Sequence, residues 1–473
     1  MTRPPDALLS RLWDRLDAWE ASFGPAETHP ALDVPAERLD AAVDEFLDRL
    51  TATPRGEAPG TYPFFHPRYA GQMLKPPHPV ATAAYAAALR LNPNNHALDG
   101  GPPTGQMEKE VVRDLAAMLG LPGDALGHLT GGGTVANLEA LWVAREETGG
   151  RAVAASADAH YTHARMCGVL GVPFVPVPAD ARGRMQPDAL EAVLRTHDVG
   201  TVVLTTGTTG LGSVDPVHEV LPVCRAHGAR VHVDAAYGGF FRLLALSSGT
   251  LASESPMSLS GFPAEAFRAI EHADSVVIDP HKHGLQPYGC GAVLFRDPRV
   301  GRHYVHDSPY TYFTSDELHL GQISLECSRP GAAAAALWLT LRALPLRSDD
   351  GLGPVVRAGV EAARDLAARL DAGGRYAVVT PPETDIVVFA PRAASLARVD
   401  ASSQRIFDAG MADPTDPVFL SLYRMEADRL LAALPDAVAD VPAARVLRSV
   451  LMKPEHARWT AHLADRLHAL AQP

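Results

Sequence analysis

The chain has 473 residues, of which 47% are hydrophobic and 21% charged, a globular composition that excludes wholesale disorder. Its 42 Lys and Arg against 55 Asp and Glu give a net charge of -13, which argues against nucleic acid or an anionic membrane as the main partner. The four cysteines lie far apart without a CxxC pair, which excludes a zinc ribbon or a disulfide scaffold and is typical of a reduced, cytoplasmic protein.

The first 120 residues predict helices separated by irregular chain. Apolar residues recur every three or four positions over 7–50, on both sides of a proline-containing connection, and predict two helices. Residues 51–80 are rich in Pro, Gly, His and aromatic residues and predict an irregular segment. A further helix is predicted over 104–119, with Thr104 as its N-cap. No apolar run approaches the roughly 20 residues that cross a bilayer, so we expect a soluble protein.

From about residue 128, short apolar runs alternate with helical stretches. The runs lie at 152–156, 201–206, 230–236, 275–279 and 291–295. Near-continuous apolar strands separated by helices predict an α/β fold with a mainly parallel sheet covered by helices on both faces. After about residue 345 the alternation of apolar runs and helical stretches changes, which predicts a separate, smaller α/β unit. Its elements are a helix at 354–370, runs at 385–390, 418–423 and 445–452, and a last helix at 455–470.

Reactive residues follow the predicted parallel strands, where sheets of this kind bind their ligands. Asp234 ends one strand and Lys282 closely follows the next, so both are expected at one edge of the sheet. An amine can form a Schiff base with an aldehyde, and a carboxylate can keep a pyridine nitrogen protonated, which suits pyridoxal phosphate. The glycine turn at 131–133 precedes a predicted helix, whose N-terminus attracts a phosphate.

Five segments occur in the same order as in a known family. They are TGGGTVANLEAL, ASADAHYTHARMCGVLG, TTGTTGLGSVDP, HVDAAYGG and DSVVIDPHKHG. From His66 to Arg448 the chain resembles the group II pyridoxal phosphate decarboxylases, which act on glutamate, aspartate, cysteine sulfinate, tyrosine and aromatic amino acids. The resemblance implies fold type I architecture and an obligate homodimer with the active site between the subunits. We expect an N-terminal segment packing on the partner subunit (1–90), a large cofactor domain (91–345) and a small C-terminal domain (346–473).

The resemblance also implies roles for single residues. Lys282 is similar to the lysine that forms the Schiff base, and Asp234 to the partner of the pyridine nitrogen. His160 and Ala236 are similar to the residues that cover the two faces of the cofactor ring. Further cofactor contacts are implied for Gly132, Gly133, Thr134, His281, and Thr208 or Thr209.

Two features of the predicted site stay open. Asp279 stands where several family members carry asparagine beside the phosphate, and a carboxylate there repels phosphate unless it is protonated or turned away. In the family, a tyrosine on a mobile loop after the lysine returns a proton to the substrate. Of the tyrosines in this stretch, the spacing favours Tyr310 or Tyr312 over Tyr304.

The predicted substrate is an L-amino acid, with a lean towards an acidic side chain. HPRYAGQML resembles the HPRFFNQL segment of glutamate and cysteine sulfinate decarboxylases, which places Gln72 at a substrate carboxylate and Lys75 nearby. Arg448 resembles the small-domain arginine that meets the substrate carboxylate. An aromatic amino acid is the alternative substrate.

Other functions fit the sequence less well. A carbon–carbon lyase or a transaminase-like activity uses the same scaffold, but a long-chain phosphate substrate requires an apolar channel or an anchor. A non-enzymatic interaction protein is disfavoured because Lys282 and Asp234 are both present. The patterns HxxH, from His160 to His163, and HxH, from His281 to His283, lack a third ligand pattern, so no metal site is predicted.

Overall fold

The computed structural model describes residues 5–25, 29–52, 60–246, 261–305 and 318–472. Over these residues the chain forms an α/β structure with a larger and a smaller sheet. The helices of the described chain are α1 (Pro5–Ala21), α2 (Ala36–Thr51), α3 (Pro79–Leu91), α4 (Pro102–Met118), α5 (Gly133–Thr148), α6 (Thr162–Leu170), α7 (Pro187–Thr196), α8 (Val217–Ala226), α9 (Arg242–Ala245), α10 (Ala264–Ala269), α11 (Gly331–Ala343), α12 (Leu352–Ala372), α13 (Leu396–Ala412), α14 (Ala427–Ala433) and α15 (Thr460–Leu470).

The larger sheet is mainly parallel, as predicted. Its strands in the described chain are β1 (Leu126–Thr130), β2 (Ala152–Ser156), β3 (Phe174–Val177), β4 (Val199–Thr205), β5 (Arg230–Asp234), β6 (Ser275–Ile278) and β7 (Gly291–Phe295), in the order β1-β7-β6-β5-β4-β2-β3. Only β7 runs against its neighbours, so β1 has the same direction as β6. The carboxyl ends of β1, β4, β5 and β6 therefore share one edge of the sheet.

The smaller sheet is antiparallel. Among the described residues it comprises β8 (Tyr376–Val378), β9 (Ile386–Pro391), β10 (Ser421–Glu426) and β11 (Ala443–Val450), in the order β10-β11-β9-β8. The apolar run predicted at 418–423 enters the sheet three residues late. Phe419 instead pairs with the irregular segment before α3, where the Ala70 N–H donates to the Phe419 carbonyl at 2.8 Å. The Val450 N–H donates to the Ala70 carbonyl at 2.7 Å, so the end of β11 and Phe419, just before β10, both hold this segment.

The helices largely confirm their predictions, with two corrections. The last helix, predicted from residue 455, begins at Thr460 after a 3-10 turn at Pro454–Arg458. Helix α4 begins at Pro102 rather than Thr104, and Gly101 is its N-cap. Thr104 does not cap the helix because its hydroxyl donates to Asn95 Oδ1 at 2.6 Å, inside the structure. None of the helices in the described ranges is long and apolar enough to cross a membrane.

The two N-terminal helices differ in how they pack. Helix α1 packs against α3. Helix α2 buries none of its residues, and apolar side chains such as Leu39, Val43, Phe46 and Leu50 are all exposed along it. An amphipathic helix that leaves its apolar residues in water is typical of an element that contacts another chain. The boundaries predicted at residues 90 and 345 stay predictions.

Candidate active site

A cavity of about 310 Å³ opens where β1, β4, β5 and β6 end. Residues from all four strand ends reach it, since parallel strands present their carboxyl ends on one side. Nine of the residues predicted for the cofactor line this cavity: Gly132, Gly133, Thr134, His160, Asp234, Ala236, Asp279, His281 and Lys282. The structure thus brings together a lysine, two carboxylates, two histidines and a glycine turn.

Asp234 is fixed at the end of β5 by two hydrogen bonds. Its Oδ1 accepts the Ala236 N–H at 3.1 Å, and its Oδ2 lies 2.9 Å from Nε2 of His163. Burial by itself raises the pKa of Asp234, but the hydrogen bond and charge of His163, with Lys282 adding to them, hold that pKa well below its usual range. The carboxylate is therefore ionised, oriented and able to hold a proton on a pyridine nitrogen.

The two histidines of the HxxH pattern lie in different places and make different contacts. His160 lines the cavity, and burial lowers its pKa, which favours the neutral ring. His163 lies wholly buried behind it and contacts Asp234. Sequence reasoning weighed His163 only as a metal ligand. No helical spacing relates the two residues, because His160 lies before α6 begins at Thr162.

The glycine turn forms the other end of the cavity. Gly132 is the N-cap of α5, and no side chain caps the helix there. A Cβ on Gly133 would lie 2.7 Å from Asp279 Oδ2, so a larger residue cannot take its place without a shift. Asn137, one turn into the helix, fixes the turn by donating to the Gly133 carbonyl at 2.8 Å. Uncapped N–H groups at the start of a 16-residue helix suit a phosphate.

Asp279 faces this glycine turn and is not turned away from it. Its Oδ2 lies 3.0 Å from Lys282 Nζ and 3.5 Å from His281 Nε2, and its Oδ1 is buried without a hydrogen-bond partner among the described residues. The Lys282 ammonium therefore balances the Asp279 carboxylate. A cofactor that binds Lys282 has to break this ion pair.

We expect Asp279→Asn to tighten the binding of pyridoxal phosphate by about threefold to tenfold. The amide removes a like charge from the phosphate end of the cavity and releases Lys282 from its ion pair. Equilibrium dialysis of the protein without its cofactor gives the dissociation constant, and Asp371→Asn, at an exposed site on α12, is the control. Weaker binding in Asp279→Asn would show that the ion pair with Lys282 helps to hold the cofactor.

The residues present fit pyridoxal phosphate. A glycine-lined helix N-terminus suits the phosphate, an ionised carboxylate suits the pyridine nitrogen, and Lys282 lies in the same cavity as both. One predicted contact is corrected. Thr208 does not line the cavity, because its hydroxyl accepts the Ser213 N–H at 3.0 Å within a buried turn. Thr209, the second of the two alternatives, does line it.

Arg448 lies in β11 with one nitrogen unused. Its Nε donates to the Gly210 carbonyl at 3.0 Å, and its Nη1 donates to the Gly71 carbonyl at 3.3 Å. Its Nη2 is buried and has no hydrogen-bond partner within the described ranges. Gly210 follows the cavity-lining Thr209, and Gly71 precedes Gln72. The side chain of Gln72 is exposed, and neither it nor Arg448 lines the cavity itself.

Lys75 is not a free surface charge, and it does not line the cavity. Its Nζ donates to the Met452 carbonyl at 3.2 Å, and burial lowers its pKa to about 8. The neighbouring Lys453 is buried too, donates to the Tyr69 carbonyl at 2.6 Å, and has its pKa lowered to about 7 by burial and by Lys75. The two lysines lie where the irregular N-terminal segment meets the chain after β11.

We expect the titration of Lys453 to raise the free energy of unfolding by about 2 kcal/mol between pH 7 and pH 9, with about 1 kcal/mol more from Lys75. Over this range the unfolded chain keeps a proton on Lys453 that the folded chain has lost, so raising the pH favours the folded state. Lys453→Met should reduce this rise, and Lys109→Met, on α4, should leave it unchanged. Urea unfolding at the two pH values measures it, and an equal rise in Lys453→Met would contradict the assignment.

Of the three tyrosines considered for the return of a proton, the structure describes one. Tyr310 and Tyr312 lie outside the described residues. Tyr304 is buried against Trp142, and burial together with Glu139 raises its pKa far above the usual range, so it is structural. Sequence reasoning did not consider Tyr288, whose exposed ring lies 4.8 Å from the ring of His281 at the cavity.

Comparisons with known proteins identify the family. Residues 80–392 match the family model described as the pyridoxal-dependent decarboxylase conserved domain. A probable L-tyrosine/L-aspartate decarboxylase of Methanopyrus kandleri is 31% identical over 320 residues, covering 67% of this chain and 80% of that protein. An L-tyrosine decarboxylase of Enterococcus faecium is 29% identical, covering 76% of this chain and 73% of its own.

Solved structures show the same fold. The crystal structure of mouse CSAD has a TM-score of 0.74 at 22% identity and covers 99% of this chain and 98% of its own. The structure of Oryza sativa TDC with PLP and tryptamine has a TM-score of 0.72 at 20% identity and covers 99% of both chains. The fold is therefore that of the fold type I enzymes. The chain belongs to the family of pyridoxal phosphate-dependent amino acid decarboxylases.

Proposed function

We propose that this decarboxylase converts an L-amino acid with an acidic side chain, such as glutamate or aspartate, to the amine and carbon dioxide. The buried Arg448, whose Nη2 is unpaired next to the turn that lines the cavity, supports binding of a substrate carboxylate, and the resemblance of the segment around Gln72 to glutamate and cysteine sulfinate decarboxylases supports an acidic side chain. Guanidinium groups bind carboxylates strongly, and a buried unpaired nitrogen favours a charged ligand. Tyrosine is the second candidate substrate, since two of the relatives above bear that name.

The cofactor would be held by groups at both ends of the cavity. Pyridoxal phosphate supplies an aldehyde that bonds an amine and a ring that accepts the electron pair left by carbon dioxide. Gly132, Gly133 and Thr134 would hold its phosphate, and Lys282 its aldehyde carbon. Asp234 would keep the proton on the pyridine nitrogen, with His163 behind it.

The remaining residues would act on the substrate. Arg448 would bind and orient a substrate carboxylate through Nη2. His160 and Ala236 would cover the two faces of the cofactor ring and keep water from them. For the proton that the substrate α-carbon takes up, we propose Tyr310 or Tyr312. Replacing each of them by Phe, with Tyr288→Phe alongside, should slow amine formation in one variant only.

A panel of amino acids with detection of carbon dioxide tests the substrate. Glutamate or aspartate should release carbon dioxide faster than tyrosine, dopa or 2,4-diaminobutyrate, and Arg448→Met should raise KM by about tenfold or more. Arg429→Met, which breaks an ion pair with Asp158 elsewhere, is the matched control. Turnover of aromatic substrates alone would overturn the acidic assignment and favour the second candidate.

We propose further that the protein is a homodimer with the active site at the subunit interface. The exposed apolar residues of α2 support this, as do two exposed tyrosines, Tyr161 and Tyr288, whose rings contact the cavity-lining His160 and His281. Sedimentation equilibrium should give about twice the chain mass, and Phe46→Glu on α2 should weaken the association. A monomer that is active at the same specific rate would contradict this proposal.

A further inference from the structure

Asp385, directly before β9 of the smaller sheet, contacts the loops that carry the cofactor residues of the larger sheet. Its Oδ2 lies 2.8 Å from Nε2 of His283, and its Oδ1 accepts the hydroxyl of Tyr237. The other ring nitrogen of His283, Nδ1, lies 3.1 Å from the Tyr237 carbonyl. The ring of contacts closes through the backbone carbonyl of Tyr237, and each of the three residues is at most 3% exposed.

The position of this ring in the chain connects it to the site. His283 is the residue after Lys282, and Tyr237 lines the cavity one residue after Ala236. The Asp385 carbonyl also accepts the Leu451 N–H at 2.8 Å, so its backbone is hydrogen-bonded to the residue after β11, at the end of the smaller sheet. One side chain of that sheet therefore holds two loops of the larger one, and one of these loops carries Lys282.

The number of protons in the ring follows from which of its atoms can donate and which can only accept. The Tyr237 carbonyl can only accept, so Nδ1 of His283 carries a proton. One more proton lies between Nε2 and the carboxylate of Asp385, which makes the pair neutral overall. Lys75 and Arg448 are the other charged groups that act on Asp385. Burial raises the pKa of Asp385, but His283, Tyr237 and Lys75 outweigh it, and the pKa is lowered.

We propose that Asp385 is a positioning residue that sets the orientation of Lys282 and of the cavity wall at Tyr237, so that cofactor affinity depends on the smaller sheet. The inference rests on the proposed use of Lys282 to hold pyridoxal phosphate. It assigns no contact with the substrate to Asp385, which acts only through His283 and Tyr237.

Asparagine at position 385 is a sharp control because it can make the same ring. Its Oδ1 can accept the Tyr237 hydroxyl, and its Nδ2 can donate to Nε2 of a neutral His283 that keeps its proton on Nδ1. Alanine leaves both partners buried and unpaired, which favours movement of the two loops. Asp385→Asn therefore removes the charge of the side chain and keeps its hydrogen bonds, whereas Asp385→Ala removes both.

The test measures the dissociation constant of pyridoxal phosphate and the absorption spectrum of the bound cofactor in the holoenzyme variants. Asp385→Ala should weaken binding by about tenfold or more and shift or broaden the absorption band, whereas Asp385→Asn should restore binding to within about threefold of the wild type. His283→Gln, which keeps a donor to Asp385 but loses the bond to the Tyr237 carbonyl, should lie between them. Circular dichroism in parallel establishes that each variant folds.

Wild-type affinity and spectrum in Asp385→Ala would overturn the inference, and so would equal losses in Asp385→Asn and Asp385→Ala. If Asp385→Ala does not fold, the comparison of Asp385→Asn with His283→Gln decides: near-wild-type binding in both would overturn the inference. Failure of the proposed function is a separate result, because the wild-type protein would then show no Lys282-dependent binding of the cofactor.

Discussion

Lys282→Ala should abolish covalent binding of pyridoxal phosphate and lower kcat by at least about a thousandfold. Lys282 Nζ reaches the cavity between the glycine turn and Asp234, and its ammonium is balanced by Asp279 at 3.0 Å. The wild-type protein should show a visible absorption band that borohydride removes, with the mass of the cofactor fixed on the peptide that contains Lys282.

The chain offers an unusually clean control for this experiment, because its only lysines are Lys75, Lys109, Lys282 and Lys453. Lys75 and Lys453 are the relevant competitors, since burial lowers the pKa of both and leaves more of each amine unprotonated. Lys75→Met and Lys453→Met should each keep the absorption band. Survival of the band in Lys282→Ala, or label on another lysine, would sink the assignment.

Asp234→Asn should leave the cofactor bound and lower kcat by about a thousandfold or more. The amide oxygen can still accept the Ala236 N–H, and the amide NH2 can donate to His163 Nε2 when the ring carries its proton on Nδ1, so the local structure should persist. It cannot hold a proton on the pyridine nitrogen by charge, so the ring becomes a weaker acceptor for the electron pair.

His163 gives the companion experiment for Asp234. His163→Gln keeps a donor towards the Asp234 carboxylate, whereas His163→Leu leaves that buried oxygen unpaired and allows the pKa of Asp234 to rise. We expect a loss of kcat in His163→Leu of about tenfold to a hundredfold and a smaller one in His163→Gln. Unchanged kcat in Asp234→Asn would contradict the role of the carboxylate, whatever the result at His163.

The sequence was most informative where chemistry and local pattern coincide. Strands β2 and β7 begin and end where their apolar runs do, and the residues after β5 and β6 meet in one cavity because parallel strands share an edge. The direction of β7 was not predictable, since an antiparallel central strand has the same apolar pattern as a parallel one.

The failures share a different cause, which is a hydrogen bond to a residue outside the predicted element, whether a few positions away or hundreds. Strand β10 is displaced because Phe419 pairs with Ala70. The Thr208 hydroxyl accepts a hydrogen bond from the Ser213 N–H, and the Thr104 hydroxyl donates one to Asn95. The contact of Asp385 with His283 joins residues 102 positions apart, and no periodicity in either segment indicates it.

The hydrogen bonds from the smaller sheet to residues 70 and 71 have a consequence for the order in which the chain folds during synthesis. The bond from Arg448 to the Gly71 carbonyl spans 377 positions, and that from Val450 to Ala70 is similarly long. Contacts of such separation form late, because a long loop must close before they contribute. During synthesis the segment around residues 70 and 71 therefore cannot form these hydrogen bonds until β11 has left the ribosome. A chain truncated before β11 would contain the residues that line the cofactor cavity but could not fix the segment that carries Gln72.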